Sequence, residues 1–355
     1  MLLIFIIYKV TTKSLNRFDI NSTINIYIIF TIFCGFSLYW SLDFETGFKR
    51  VITLVLITIN IIVIYNILKK LNSYDSIFYG LFIGTFLNFL IGAGYLFSLN
   101  DYFSGWRFIG TTGNANIIST YMVLSIFAST LYLSIKNKGI IFYYYQYINI
   151  VFAFYIVIIA GSKKGIAFSV LFILLYLISK FTNPKEAVKT IGQVLFIIIF
   201  ISYFSSYFID LNSFSDVLIK ILDRFSQFAN AEGHSTETRL KLAIIAFDNL
   251  EMSPLFGTGI GSFLYKYNTY AHNNYLELLS EVGIFGFTIF YFIYFILLKR
   301  IYILAKSTYK IALFSFVGLF LLLDLAEVNY YSKFILFYLI LLTYMIEKEE
   351  GNAII

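Results

Sequence analysis

Apolar runs separated by short polar breaks dominate the chain from residue 22 to residue 346. Against the roughly 20 residues that an α-helix needs to cross a bilayer, ten runs read as candidate spans: 22–42, 50–68, 76–98, 114–135, 140–160, 165–180, 188–209, 274–298, 308–325 and 332–346. Leu, Ile and Phe follow one another in these runs without the alternation that membrane barrel strands require. Helices are therefore predicted. Met1–Tyr8 is also apolar, but at about 1.5 Å rise per residue it is far too short to span. It carries no basic leader and no small-residue cleavage site, so it reads as the stub of a helix or an interfacial segment, not a signal peptide. The expected fold class is all-α, a polytopic membrane bundle of about 10–11 helices, with residues 1–355 forming a single integral membrane domain. One long polar stretch, 210–273, is expected as a large loop outside the cytoplasm that contains short helices.

Composition narrows the class further. Hydrophobic residues make up 59% of the 355, charged residues 13%, and the mean hydropathy is +0.81. Soluble domains carry about 25% charge, so polar surface is too scarce here to coat a globule. With 41 Phe, 30 Tyr and only 2 Pro, disorder is excluded as well. One cysteine, Cys34, excludes a disulfide framework or a thiolate metal site. Two histidines, His234 and His272, are too few for zinc without many carboxylate partners. No metal and no cofactor are expected.

The net charge of +6 points to topology and not to a nucleic-acid partner. With the N-terminus in the cytoplasm, fifteen of the 26 Lys and Arg fall inside, Lys69, Lys70, Lys136, Lys138, Lys299 and Arg300 among them. Five of the remainder lie in the long loop, which the positive-inside rule does not count, and six in short segments. The loop from Asp210 to His272 is thereby placed outside.

The outward-facing cations then become the informative residues. Arg107 precedes Gly110-Thr111-Thr112-Gly113-Asn114-Ala115-Asn116 at the mouth of the fourth span. Lys163 and Lys164 sit in a hairpin, Gly161-Ser162-Lys163-Lys164-Gly165, and Arg239 sits in the long loop. Any one of them reads as a cation snorkelling to headgroups. Three such sites among small residues suit an anion held at the membrane surface, because guanidinium and ammonium groups bind phosphate oxygens by charge-assisted hydrogen bonds.

Within the loop, Ser235 or Thr236 can cap a helix with Glu237 in its first turn, followed by Leu240, Ala243, Ile244 and Phe247 at helical spacing. That stripe suits either the bundle or the membrane interface. The run Gly257-Thr258-Gly259-Ile260-Gly261 imitates a dinucleotide fingerprint, but no strand precedes it, and turn chemistry accounts for it. Ala271-His272-Asn273-Asn274-Tyr275 opens the eighth span. A histidine there feels the positive end of the helix, which favours the neutral ring a general base needs. It reads equally well as a capping residue. Glu277 and Glu281 follow four residues apart on one face, and Asp324 and Glu327 near the outer end of the ninth span raise the same question less pointedly. Carboxylates at membrane depth call for basic partners or a wet cavity.

Taken together, these stretches resemble the O-antigen ligase and O-antigen polymerase family of integral membrane glycosyltransferases. The likeness runs from Arg107-x-x-Gly110-Thr111-x-x-Asn114-x-Asn116, through Gly161-Ser162-Lys163-Lys164-Gly165 and Thr238-Arg239, to Pro254-Leu255-x-Gly257-x-Gly259-x-Gly261. It closes on Ala271-His272-Asn273-x-Tyr275-Leu276 with Glu281-x-Gly283-x-x-Gly286, its most specific block. Lys163 stands where the family commonly has arginine, which keeps the charge and loses the bidentate fork.

The resemblance implies glycan transfer at the outer face of a bacterial inner membrane, metal-independent and inverting. The donor would be an oligosaccharide on undecaprenyl pyrophosphate, and the acceptor a second lipid-linked glycan. His272 and Arg239 would be catalytic. Arg107, Lys163, Lys164, Asn114, Asn116, Asn273 and Glu281 would contact pyrophosphate or glycan. Membrane lipids, a chain-length regulator and a flippase would be partners in building O-antigen, lipopolysaccharide or a capsular polysaccharide of the cell envelope. The departure at Lys163 favours polymerase over ligase, which would use lipid A-core as acceptor. A flippase of lipid-linked oligosaccharides, the reading from a different class, expects internal repeats and polar residues through both leaflets. Here the polar groups gather at one face.

Overall fold

The computed structural model describes residues 18–72, 75–93, 103–104, 107–134, 140–180, 219, 234–304 and 308–352. The expected span 188–209, the segment Met1–Tyr8 and most of the first half of the 210–273 loop lie outside the described residues. The rest is helical, as the apolar runs predict. Six of the described helices are long and apolar enough to cross a membrane, and a shorter apolar one covers Lys310–Leu323. The molecule is an all-α, multi-pass membrane protein. Its chain divides into two compact units, one of residues 1–74, 234–305 and 317–355, the other of residues 75–233 and 306–316.

The first unit contains α1 (Ser22–Phe36) and α2 (Phe44–Leu71) near the start of the chain. The chain then passes through the second unit. The first then resumes with α7 (His234–Met252), α8 (Ser262–Tyr267), α9 (Asn274–Ile303), the second half of α10 (Thr308–Leu323) and α11 (Lys333–Asn352). Asn21 caps α1 by accepting from the Ile24 amide at 2.8 Å. Asp43 does the same for α2, accepting from Thr46 at 2.8 Å, with Glu45 in the first turn facing the positive helix end. This cap starts α2 six residues before the apolar run at 50–68. The hydrophobic pattern breaks at Lys49 and Arg50, whereas the helix runs through them.

Helices gain little from leaving lipid for one another, so packing and polar contacts hold the unit together. Phe30 of α1 meets Phe290 of α9 at 5.2 Å and Tyr330 at 6.0 Å, and all three rings are buried. Such aromatic pairs contribute about 0.5–1.5 kcal/mol beyond their area. The Tyr27 hydroxyl donates to the Tyr330 carbonyl at 2.9 Å, and the Thr31 and Thr58 hydroxyls join α1 to α2 at 3.1 Å.

The second unit contains α3 (Asp75–Ala93), a two-stranded hairpin of β1 (Phe103–Ser104) and β2 (Arg107–Phe108), α4 (Ala115–Leu133), α5 (Ile140–Ile159) and α6 (Lys163–Lys180). The strands pair antiparallel, Phe103 opposite Phe108 and Ser104 opposite Arg107. Helix α4 is the most buried of the six candidate spans and carries an inward row of small hydroxyls. Asn149 of α5 donates to Ser125 at 2.9 Å and to Ser129 at 2.7 Å. A methyl group added to Gly165 of α6 would stand 1.9 Å from the Ser119 hydroxyl, so that glycine is what lets α6 close on α4.

Candidate functional site

Two polar clusters form at helix ends, one in each unit. In the first unit the cluster is organised by the entry to α9. Asn273 is the N-cap, its side chain accepting from the Leu276 amide at 3.1 Å. The cap is therefore this asparagine and not His272, which sits one residue earlier and half-buried. His272 has a positive φ of 56°, a left-handed conformation that costs a residue with a side chain about 1–2 kcal/mol. It persists because its neighbours are tied down. On one side Ala271 donates its amide to the Glu277 carboxylate at 2.8 Å, and on the other Asn273 caps the helix.

The His272 ring lies 4.1 Å from that of Tyr270. Burial raises the Tyr270 phenol above its ordinary range, Glu327 raises it further, Arg239 pulls it down and Glu277 adds a smaller upward push. The charge of Arg239 thus acts on the phenol whose ring faces His272, though the two residues are distant in sequence. Arg239 itself is exposed on α7, two residues from each partner of the surface pair of Lys241 with Glu237 at 2.7 Å. Exposed pairs of that kind contribute little. Helix α7 begins at His234, ahead of the expected Ser235 or Thr236 cap. Its bundle-facing residues are Leu242, Ala246 and Asn249, while Leu240, Ile244 and Phe247 are exposed. Of the stripe, Leu240, Ile244 and Phe247 thus face away from the described residues of this unit, while Ala243 is half-buried.

Behind the His272 turn lies a buried ionic group. Arg50 and Glu277, 8% and 1% exposed, approach to 3.5 Å. Arg50 also donates to the Tyr330 hydroxyl at 3.1 Å and lies 3.8 Å from the Tyr331 ring centre. Burial pushes the Tyr331 phenol up to about 12 against the lowering pull of Arg50. The Tyr330 hydroxyl donates onward to Glu281 at 3.0 Å. Glu281 uses its other oxygen to accept the Phe263 amide at 3.1 Å. Expected as a substrate contact, Glu281 is buried with protein donors on both oxygens, an arrangement suited to holding the glycine loop. Removing one partner from a buried pair such as Arg50–Glu277 costs about 3–5 kcal/mol. A further buried carboxylate, Asp324, accepts from Asn274, Tyr291 and Asn329.

Sequence reasoning left Arg50 among the outward-facing cations. The signal was present, since two carboxylates four residues apart inside an apolar helix demand a cation, and Arg50 opens another span on the same side. Tyr270 carried no comparable signal.

The second cluster gathers Arg107, Asn116 and the 160–165 hairpin. The Arg107 Nε donates to the Ala160 carbonyl at 3.0 Å and an Nη donates to Asn116 Oδ1 at 2.9 Å. Asn114 caps α4, its side chain accepting from the amides of Asn116 at 2.8 Å and Ile117 at 3.3 Å. Gly161 turns the chain with φ of 57° into the buried Ser162, and half-buried Lys163 and Lys164 follow in the first turn of α6, which has no acidic residue. Cations at the positive end of a helix are unfavourable alone. The structure thus joins the predicted residues Arg107, Asn114, Asn116, Lys163 and Lys164 in one unit, and Arg239, His272, Asn273 and Glu281 in the other.

The class that the structure defines is a multi-pass membrane helix bundle with a polar cluster at helix mouths in each of its two units. Residues 148–291 match the family model described as O-antigen ligase. Over that stretch, which is less than half of its length, the chain is similar to the O-antigen ligase family. That stretch contains Lys163, Lys164, Arg239, His272, Asn273 and Glu281, while Arg107, Asn114 and Asn116 precede it. The match supports a function of the membrane O-antigen ligase or polymerase type, a family that implies lipid-linked glycans as substrates. No curated protein matches the chain.

Proposed function

We propose that the protein is an O-antigen-type polymerase working at the outer face of the inner membrane, with its N-terminus in the cytoplasm. It joins oligosaccharide repeat units carried on undecaprenyl pyrophosphate. In the transfer step the acceptor sugar hydroxyl attacks the anomeric carbon of the donor chain and its proton passes to the His272 ring. The bond from that carbon to the pyrophosphate oxygen breaks, and undecaprenyl pyrophosphate leaves with the electron pair. Attack opposite the departing group inverts the anomeric centre.

Arg239 stabilises the charge that grows on the departing pyrophosphate. Arg107, Lys163 and Lys164, with Asn114 and Asn116, are assigned to anionic and glycan contacts in their own unit. Pyrophosphate is a good leaving group once its charge is met by cations, so the reaction needs no metal. The observation that carries this reading is the held, left-handed His272 at the mouth of α9, with Tyr270 against its ring and Arg239 close enough to act on that phenol.

The polymerase reading rests on Lys163 standing where the resemblance expects arginine. The likeness to the O-antigen ligase family supports a second reading, a ligase that transfers the finished glycan to lipid A-core. One experiment separates them. Purified protein in nanodiscs is given lipid-linked repeat units, with and without lipid A-core. Chains that lengthen on undecaprenyl pyrophosphate support the polymerase. Glycan appearing only on lipid A-core supports the ligase and rejects the proposal.

A further inference from the structure

The Arg50–Glu277 pair lies behind the His272 turn, and neither residue has a place in the transfer step above. We infer that Glu277, held by Arg50, is a positioning residue that fixes His272 in its working conformation through the Ala271 amide. This inference rests on the reading of His272 as the base.

The chain of contacts is short. Arg50 is fixed by the Tyr330 hydroxyl at 3.1 Å and by the Tyr331 ring at 3.8 Å. It faces one oxygen of Glu277 at 3.5 Å, an oxygen that takes no hydrogen bond. That leaves the other oxygen to accept from Ala271 at 2.8 Å. The next residue is His272, at a φ that a side chain disfavours. A strained conformation persists only where the surroundings over-determine it. Here the Glu277 acceptor holds one side and the Asn273 cap holds the other. With the acceptor gone, His272 is free to relax towards negative φ and carry its ring away from Tyr270. A displacement of about 1 Å at a reacting group can cost about a hundredfold in rate. Arg50 thus fixes a carboxylate, which fixes an amide, which fixes the histidine.

Two substitutions separate positioning from simple structural support. Glu277→Gln and Glu277→Ala both remove the negative charge facing Arg50, so both lower thermal stability. Only the alanine variant also removes the acceptor for Ala271. We expect Glu277→Ala to lose about ten- to a hundredfold in kcat per folded molecule, with the donor KM within about twofold. Glu277→Gln should recover kcat to within about threefold of wild type. If the two kcat values instead follow the two melting temperatures, or if Glu277→Ala keeps its kcat, the inference is wrong.

Should the alanine variant fail to insert, replacing the Ala271 amide with an ester, by incorporating lactic acid at that position, removes only the N–H. It leaves Arg50 and Glu277 paired and should reproduce the kcat loss; a normal kcat there overturns the inference equally. His272→Ala is measured alongside. If it is inactive while the Glu277 and ester variants are normal, positioning alone has failed. If His272→Ala is itself fully active, the assignment of the base fails and the positioning inference falls with it.

Discussion

Gly257 and Gly283 are each other's steric condition. A Cβ on Gly257 would lie 2.4 Å from the carbonyl carbon of Glu281, and one on Gly283 would lie 2.6 Å from the Gly257 amide nitrogen. Both residues have positive φ, 69° and 63°. At Gly283 the helix α9 departs from helical geometry, and the amides of Ile284 and Phe285 turn to the carbonyls of Pro254 and Leu255 at 3.0 and 3.1 Å. In return Thr258 and Gly259 donate to the carbonyls of Ser280 and Glu281. The glycine run is a clasp on the kinked helix that carries Glu277 and Glu281.

Alanine at either glycine should therefore be among the most damaging small substitutions in the protein. The left-handed backbone and the overpacking together cost about 2–4 kcal/mol. Gly113 is the control, since it has φ of 69° with nothing within 4 Å of an added Cβ and should show only the backbone cost, about 1–2 kcal/mol. Melting temperatures in detergent check the ranking. Equal losses at Gly113 and Gly257 would mean that the clasp contributes nothing.

The clasp also marks the boundary of what the sequence discloses. The turn character of 257–261 and the start of α9 at Asn274 are both readable, because glycine spacing and an Asn cap act within a few residues of themselves. The kink at Gly283 is not, because the donors and acceptors that compensate it come from a segment some 25 residues earlier. Arg50 shows the same limit from the other side. A hydropathy pattern treats a charge as the end of a span, so α2 was expected to begin at the residue that lies buried within it. Burial is decided by partners, and the partners of Arg50 are Glu277 and Tyr330, more than two hundred residues away. The apolar stripe of α7 shows a third limit. In a membrane protein an apolar residue suits lipid and bundle alike, so periodicity finds the helix without choosing its inward face.

Topology is tested with the chain's own chemistry. Cys34 is the single cysteine and is buried, so its replacement by alanine gives a background for placing new thiols. Lys266→Cys, exposed on α8, should react with an impermeant maleimide in intact spheroplasts. Lys70→Cys, exposed at the end of α2, should react only after permeabilisation. The reverse pattern would invert the bundle and remove His272 from the outer face.

Lys163 tests the departure from the family. It sits in the first turn of α6 beside Lys164, where the helix already presents its positive end. Lys163→Arg keeps the charge, gains a fork and should retain transfer activity. Lys163→Glu should abolish transfer, because a carboxylate satisfies the helix end itself and repels the anion. A glutamate variant that is inserted normally and transfers at the wild-type rate would reduce Lys163 to a headgroup anchor.

His272 and Arg239 should separate chemistry from binding. A general base acts mainly in the transition state, so His272→Ala should bind lipid-linked donor almost normally and yet lose about 10²–10⁴-fold in transfer. A cation facing pyrophosphate interacts in ground and transition states alike, so Arg239→Ala should weaken donor binding as well as transfer. Neither change removes apolar surface from a span. His272→Ala also relieves no strain, since alanine at φ of 56° is no more at ease than histidine. Insertion levels should match wild type, which leaves donor affinity and product length, measured in nanodiscs, as the informative readouts. His272→Ala making full-length product at the normal rate would exclude the ring as base, and because Asn273 is the helix cap, the residue would then lack the capping role as well. Arg239→Ala leaving both quantities unchanged would move the anion contact to the cluster of Arg107, Asn116 and the 160–165 hairpin, where an arginine is already held in place by Ala160 and Asn116.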